Sequence, residues 1–207
     1  MSDVSKAIFL GKSSPNAVEL QSAQLRPDYE YLRVELAGQP PALLVLGYID
    51  PHPLGSVEVW YSSQGEVLRL QQGRLFGAAG LAVNWQHITY PKAPPAWTDI
   101  PTGGASFERV RDVFPGYHHR LSDQALLMPV SAETAMEAVR KIHPQNSQPL
   151  AWFCETYASL SPTPALPDAW FAFGLYQGQQ QIVYSRQCLS ADLCLSIQRW
   201  PLEKVSP

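Results

Sequence analysis

The chain has 207 residues, and 45% of them are hydrophobic, which is enough for one domain with a sizeable core. Its formal net charge of -3 supplies no positive field for nucleic acid or for an anionic membrane surface, so neither is expected as a partner. Only 16% of the residues are charged, whereas 19 are Pro and 13 are Gly; this balance favours short strands joined by turns over long helices.

The first half of the chain predicts a series of antiparallel hairpins. Asp3–Leu10 is expected to form a short helix or strand. Beyond it, runs of alternating or continuous apolar residues are separated by Gly- and Pro-containing breakers, a pattern typical of strands and turns. The predicted strands and hairpins are Tyr29–Leu36, Ala42–Ile49, Ser56–Ser62, the unit Gly65–Leu81 with its turn at Gln72-Gly73, and Val83–Tyr90.

The second half begins with a long Pro-rich connection, Pro91–Gly104, and a connection of this length is usually functional or mobile. One helix is predicted, at Ser131–Lys141, with Met136 and Val139 on its apolar stripe and acidic residues towards its N-terminal half. Leu150–Leu160 is apolar, and its pattern fits a strand or a helix. The other predicted strands are Ser106–Val113, Tyr117–Leu121, Gln124–Met128, Ala169–Tyr176 and Gln180–Gln187.

The three cysteines carry different expectations. Cys188 and Cys194 flank a short segment that could form a tight hairpin, and they are either a disulfide in an oxidising compartment or two buried thiols. The spacing does not decide between these two, because it does not fix the distance between the Cα atoms. Cys154 lies in an apolar run and is expected to be a core residue.

No motif predicts a metal, a cofactor or a catalytic nucleophile. His118 and His119 are adjacent, and on a strand they would point to opposite faces, so they cannot serve one site without a bulge. The alternative that we keep is an enzyme that modifies a polysaccharide through a cleft of carboxylates and histidine, because paired carboxylates can hydrolyse glycosidic bonds. Its candidate residues are Glu66, Glu108, Asp112 and His119.

Several segments, in the same order along the chain, resemble the YjbF/GfcB/YmcC family, the lipoproteins of exopolysaccharide and group 4 capsule gene clusters. The similarity is concentrated in the hairpin that contains Arg74-Leu75 and in the Trp60-Tyr61 pair before it. It continues in ALLVLG at Ala42–Gly47, in Phe107–Gly116 and in the ending Tyr184–Gln187.

The resemblance implies a fold and a role. It predicts one domain over residues 1–207, mainly β, with an antiparallel barrel-like sheet and one short helix. It implies a non-enzymatic accessory lipoprotein in exopolysaccharide or capsule assembly or export, which binds the polymer or an outer-membrane porin-like partner from the same gene cluster. The expected location is the periplasm, where a lipid would anchor the protein to the outer membrane.

The N-terminal residues lack two features of that family, a signal peptide and a cysteine that could be lipidated. We interpret the chain as the mature domain with an added Met1; a cytosolic protein is the alternative. No run of about 20 apolar residues occurs that would span a bilayer.

Aromatic residues near strand ends suggest where a polysaccharide would bind. An exposed aromatic ring can stack on a sugar ring while arginine or asparagine holds its hydroxyl groups. The alternative is that the aromatic residues form the core of the barrel. The residues that we predict to contact sugar are Trp60, Tyr61, Arg69, Arg74, Asn84 and Trp85.

Overall fold

A computed structural model describes residues 25–139 and 149–201 of the chain. Within them it contains twelve β-strands and one α-helix. The strands are β1 Tyr31–Leu36, β2 Ala42–Asp50, β3 Val57–Ser62, β4 Val67–Gln71, β5 Arg74–Ala79, β6 Asn84–Thr89, β7 Ala105–Phe114, β8 His118–Val130, β9 Ala151–Ser159, β10 Ala169–Tyr176, β11 Gln179–Ser190 and β12 Leu193–Trp200, and the helix, α1, is Ala132–Val139.

The twelve described strands form one closed antiparallel barrel. Each strand pairs with the strand before it and the strand after it, and β1 closes the ring by pairing with β12, for example Val34 with Ile197. Short turns suit this up-and-down order because antiparallel strands need only a tight connection. The prediction of a mainly β, antiparallel barrel-like fold with one short helix is confirmed.

Three elements differ from the sequence-based predictions. The ambiguous segment Leu150–Leu160 contains strand β9. The two strands predicted before the helix are one continuous strand, β8, and β12 was not predicted at all. The segment Asp3–Leu10 lies outside the described residues.

Helix α1 lies within the predicted segment Ser131–Lys141, but its buried face differs from the predicted one. Its first turn begins after Ser131, whose Oγ accepts a hydrogen bond from the Thr134 amide at 3.1 Å, as expected of an N-cap residue. Val139 is buried as predicted, whereas Ala135 is the other buried position and Met136 is exposed. Ala135 and Val139 belong to the same apolar cluster as Trp152 of β9, so these two positions attach the helix to the sheet.

The main apolar cluster contains residues from all twelve strands and from the long β6–β7 connection. We call residues 90–104 of that connection the strap. Trp97 of the strap is buried, with its indole NH donating to the backbone carbonyl of Gln72 at 2.8 Å. Its ring packs 4.9 Å from that of Phe171 and 5.4 Å from that of Phe153. Through Trp97, the strap therefore packs against the core at one end of the barrel.

Charged residues are also buried in this core, and they occur in compensated groups. Asp123 accepts hydrogen bonds from Arg111 at 2.7 Å and from Arg109 at 2.9 Å. Burial by itself raises the pKa of Asp123, but the two guanidinium groups outweigh it and hold the pKa below its usual range. Arg74 pairs with Glu155 at 2.6 Å. Each of these five buried charges thus has an oppositely charged partner, which offsets the cost of burying it in the low dielectric of a core.

Candidate functional site

A groove lies on the side of the barrel where strands β4, β5 and β6 meet, and we call it the lateral groove. Its volume is about 430 Å³. Strands β5 and β6 are joined by a single registered pair, Ala78 with Trp85, so the two strands diverge beside this point. The side chains that line the groove include His52, Arg69, Phe76, Gln86 and His87.

The floor of the lateral groove is aromatic. The Phe76 ring lies 5.1 Å from the His52 ring and 6.2 Å from the Tyr90 ring, and it fills the space between the diverging strands. At the other wall, the pairing of β6 with β7 is irregular between Gln86 and Thr89, and His87 adopts a φ of 49° there. This bulge exposes His87 at the rim of the groove.

Two exposed tyrosines lie on the neighbouring strands β2 and β3. Tyr48 is 52% exposed and Tyr61 is 40% exposed, and their ring centroids are 6.5 Å apart. The absence of a side chain at Gly47 allows this arrangement, because a Cβ atom there would lie 2.5 Å from Cε2 of Tyr61. Partial burial and the neighbouring Tyr48 hydroxyl both raise the pKa of Tyr61, so it remains a neutral hydrogen-bond donor.

Arg69 links the tyrosines to the groove. It forms an ion pair with Asp50 at 2.7 Å, with both side chains 41% exposed, and its guanidinium lies 6.0 Å from the Phe76 ring centroid. Its Nε has no hydrogen-bond partner among the described residues. Gly77, on the neighbouring strand, provides the space for the Arg69 side chain, since a Cβ atom there would lie 3.2 Å from its Cδ.

The structure separates the six predicted sugar-contact residues. Tyr61 and Arg69 lie together at the surface, but Trp60, Arg74 and Trp85 are buried. Trp60 donates a hydrogen bond to Glu58, Trp85 donates one to the Leu189 carbonyl, and Arg74 pairs with Glu155. The polar group of each side chain therefore already has a partner within the protein. Asn84 accepts a hydrogen bond from the Leu81 amide in the turn before β6.

The sequence analysis missed other residues of this surface, namely Tyr48, Asp50, His52, Gln86 and His87. One available signal was the glycine at position 47 between apolar residues of a strand, since such a glycine marks a bulge or a close approach.

The candidate carboxylates of the enzymatic alternative are dispersed. Glu66 accepts from Ser62, and Glu108 accepts from Ser122 at 2.6 Å. Neither lines the lateral groove.

Asp112 lies between two exposed histidines. Its Oδ2 atom is 3.4 Å from Nδ1 of His87 and 3.5 Å from Nδ1 of His119. The backbone amide of Arg120 and the His119 side chain lower the pKa of Asp112, so it is a stable anion rather than a general acid. Among the described residues, no group of three or more potential ligands could hold a metal ion.

The cysteines have distinct states. Cys188 and Cys194 occupy opposite positions of the β11–β12 hairpin and form a disulfide. Cys154 is buried, and burial together with the Asp168 and Glu155 carboxylates raises the pKa of its thiol to about 12. A thiol with such a pKa carries almost no thiolate at neutral pH and does not act as a nucleophile.

The fold and the groove define a class: a closed β-barrel domain with an aromatic and polar surface groove. A sequence model of the family described as "Group 4 capsule polysaccharide lipoprotein gfcB, YjbF" matches residues 3–141, more than half of the chain. The chain therefore belongs to this family, and the resemblance inferred from the sequence is confirmed. As a family of lipoproteins, it indicates a membrane-anchored location in the cell envelope.

A solved structure supports the fold. The chain is similar to the hypothetical lipoprotein YmcC from Escherichia coli K12, with 19% sequence identity, a TM-score of 0.67 and coverage of 92% of each chain. At this identity the similarity shows the fold alone. A search of curated protein sequences gave no match. None of the helices among the described residues is long and apolar enough to cross a membrane.

Proposed function

We propose that this protein is a non-enzymatic accessory lipoprotein of the periplasm, anchored to the outer membrane, which takes part in exopolysaccharide or capsule assembly or export. It binds the polymer at the lateral groove and the tyrosine pair beside it. The observation that carries the proposal is that the exposed pair Tyr48 and Tyr61 lies near Arg69, which lines the groove and is paired with Asp50. Membership of a capsule polysaccharide lipoprotein family supports the same ligand class.

The chemistry of this surface suits an extended sugar chain. The tyrosine rings offer apolar faces for the C–H side of a sugar ring, and their hydroxyl groups can hydrogen-bond the next unit. Arg69 and Asp50 supply donors and acceptors side by side, in a pair whose charges already compensate each other. Gln86 and His87 extend the polar rim along the groove. An aromatic platform flanked by fixed polar groups selects a ligand rich in hydroxyl groups.

The dispersed carboxylates and the unreactive Cys154 thiol support a binding role over a catalytic one. An outer-membrane porin-like protein of the same gene cluster remains the second partner that we propose. It would receive the polymer that this protein holds.

Titration calorimetry with exopolysaccharide from the source strain tests the proposal. Each of the variants Tyr48→Ala and Tyr61→Ala should weaken binding about fivefold, because one stacking contact contributes about 1 kcal/mol. Tyr117→Ala is the matched control, since Tyr117 is 75% exposed but lies in the turn between β7 and β8, two strands that do not pair with β2 or β3. The fragment sizes of the polymer should be unchanged after incubation.

Two results would contradict the proposal. Equal affinities of Tyr61→Ala and Tyr117→Ala would show that the polymer does not bind at the tyrosine pair. Shortened fragments would show an enzyme, and the carboxylates would then need separate substitution.

A further inference from the structure

A second cavity, which we call the basal pocket, opens at the end of the barrel that the strap covers. Its volume is about 300 Å³, at the lower end of the range for ligand pockets. Residues from six separate segments converge on it. The ones that matter for its chemistry are Glu58, Gln72, Trp97, Gln180 and Arg199.

The only charges among those five side chains compensate each other. Arg199 donates from Nη2 to both carboxylate oxygens of Glu58, at 2.6 and 2.8 Å. The carboxylate also accepts from the indole NH of Trp60 at 3.1 Å, and the Arg199 guanidinium lies 5.1 Å from the centroid of that indole ring. Nη1 of Arg199 also lies 3.9 Å from the carboxylate of Glu30, which is 47% exposed. Because carboxylates compensate Arg199 and Trp60 holds Glu58 in place, the pocket offers polar contacts without a positive field that would attract an anionic ligand.

The rest of the lining combines amide groups with an aromatic wall. Gln72 and Gln180 are exposed at the rim, from the β4–β5 turn and from the start of β11, so their amides are accessible to a ligand. Trp97 closes one side of the pocket with the 8% of its surface that is exposed, and the Arg74 guanidinium lies 3.8 Å from its ring centroid. Phe173 of β10, which is partly buried, adds a second aromatic side chain to the lining. Two amides and a compensated ion pair beside an apolar wall can recognise vicinal hydroxyl groups on an apolar ring.

We infer that the basal pocket binds a single neutral hexopyranose unit, as a saccharide site separate from the lateral groove. Phe173 and the exposed part of Trp97 contact the apolar side of the sugar, while Gln72, Gln180 and the Arg199–Glu58 pair hydrogen-bond its hydroxyl groups. The strap contributes to this site because Trp97 closes one side of it. The inference does not rest on polymer binding at the lateral groove.

The test follows the indole NH signal of Trp97 by NMR in the whole protein labelled with ¹⁵N-tryptophan, with the signal assigned through Trp97→Phe. The probes are D-glucose, D-galactose and N-acetyl-D-glucosamine, each added to roughly 100 mM so that millimolar Kd values are reached. At least one probe should shift the Trp97 signal in a saturable way. The double variant Gln72→Ala/Gln180→Ala should reduce the affinity at least fivefold.

Controls separate this site from the groove. Tyr61→Ala should leave the shift of Trp97 unchanged, and an unchanged Tm of the double variant should show that its barrel is intact. The inference is overturned if no neutral sugar shifts the signal, if the double variant responds as the wild type does, or if D-glucuronate binds more tightly than D-glucose. Loss of this site with retained polymer binding at Tyr61 would leave the proposed function standing.

Discussion

Replacing Asp123 with Asn should destabilise this protein strongly, because one buried carboxylate compensates two buried arginines. Asp123 accepts hydrogen bonds from Arg111 at 2.7 and 3.1 Å and from Arg109 at 2.9 Å. The side chains of all three residues are at most 6% exposed. The amide oxygen of Asn could still accept hydrogen bonds, but its NH2 group could not, and both guanidinium groups would be left without a counter-charge.

The expected loss is about 3 to 5 kcal/mol of unfolding free energy, the cost of leaving a buried charge without its partner. The matched control is Asp50→Asn, which breaks the exposed Arg69–Asp50 pair. That exchange should cost about 1 kcal/mol or less, since water screens exposed pairs. In urea titrations followed by tryptophan fluorescence, a slope of about 2 kcal/mol per M converts the loss at Asp123 into a midpoint shift of about 2 M.

The interaction of Asp123 with Arg109 and Arg111 also predicts that the stability of the protein depends on pH. The pKa of Asp123 is lower in the folded protein than the unfolded value of about 3.9. Its contribution to stability is therefore complete above about pH 4 and is lost as the pH falls through the folded pKa. The stability difference between wild type and Asp123→Asn should shrink over this acidic range. Equal losses for Asp123→Asn and Asp50→Asn at pH 7 would refute the reasoning.

Two further predictions concern the strap and the cysteines. Trp97→Ala should lower the unfolding free energy by about 3 to 5 kcal/mol, because it removes a buried ring from the core. The control is Thr98→Ala, at its exposed neighbour, which should change the unfolding free energy by no more than about 0.5 kcal/mol. Equal losses for the two variants would show that packing of the strap does not stabilise the barrel. Iodoacetamide, with labelling measured by mass spectrometry, should alkylate Cys154 alone when the protein is denatured without reduction. After reduction it should also alkylate Cys188 and Cys194. Three labels without reduction would contradict the disulfide.

The hairpins could be predicted from the sequence because local chemistry determines them. The turn at Gln72-Gly73, for example, joins two strands whose apolar residues already alternate, and the structure has β4 and β5 there. The division of β8 into two strands was wrong for a non-local reason. Ser122 and Asp123 look like a polar break, but Asp123 is an interior residue neutralised by arginines on β7.

The candidate site was harder to predict because exposure depends on the whole sheet. Trp60 and Tyr61 are neighbours on a strand, so alternation predicts that one is buried and the other is exposed, but not which one. The structure buries Trp60 at 0% exposure and exposes Tyr61. Tyr48 comes beside Tyr61 through the bulge between Leu46 and Tyr48 in the β2–β3 pairing, and Gly47 marks such a bulge without showing which side chains it brings together.

The interior of the barrel restricts where a polymer can be held. Arg74 is 3% exposed, and its two terminal nitrogens have no hydrogen-bond partner among the described residues. Its guanidinium lies among the rings of Trp97, Phe107 and Phe171, at 3.8, 5.4 and 5.9 Å, so aromatic faces take the place of acceptors. An arginine enclosed in this way is part of a close-packed core, and the described strands therefore surround packed side chains. A polymer bound as we propose would then lie on the outer wall or at the ends of the barrel, which is where the lateral groove and the basal pocket lie.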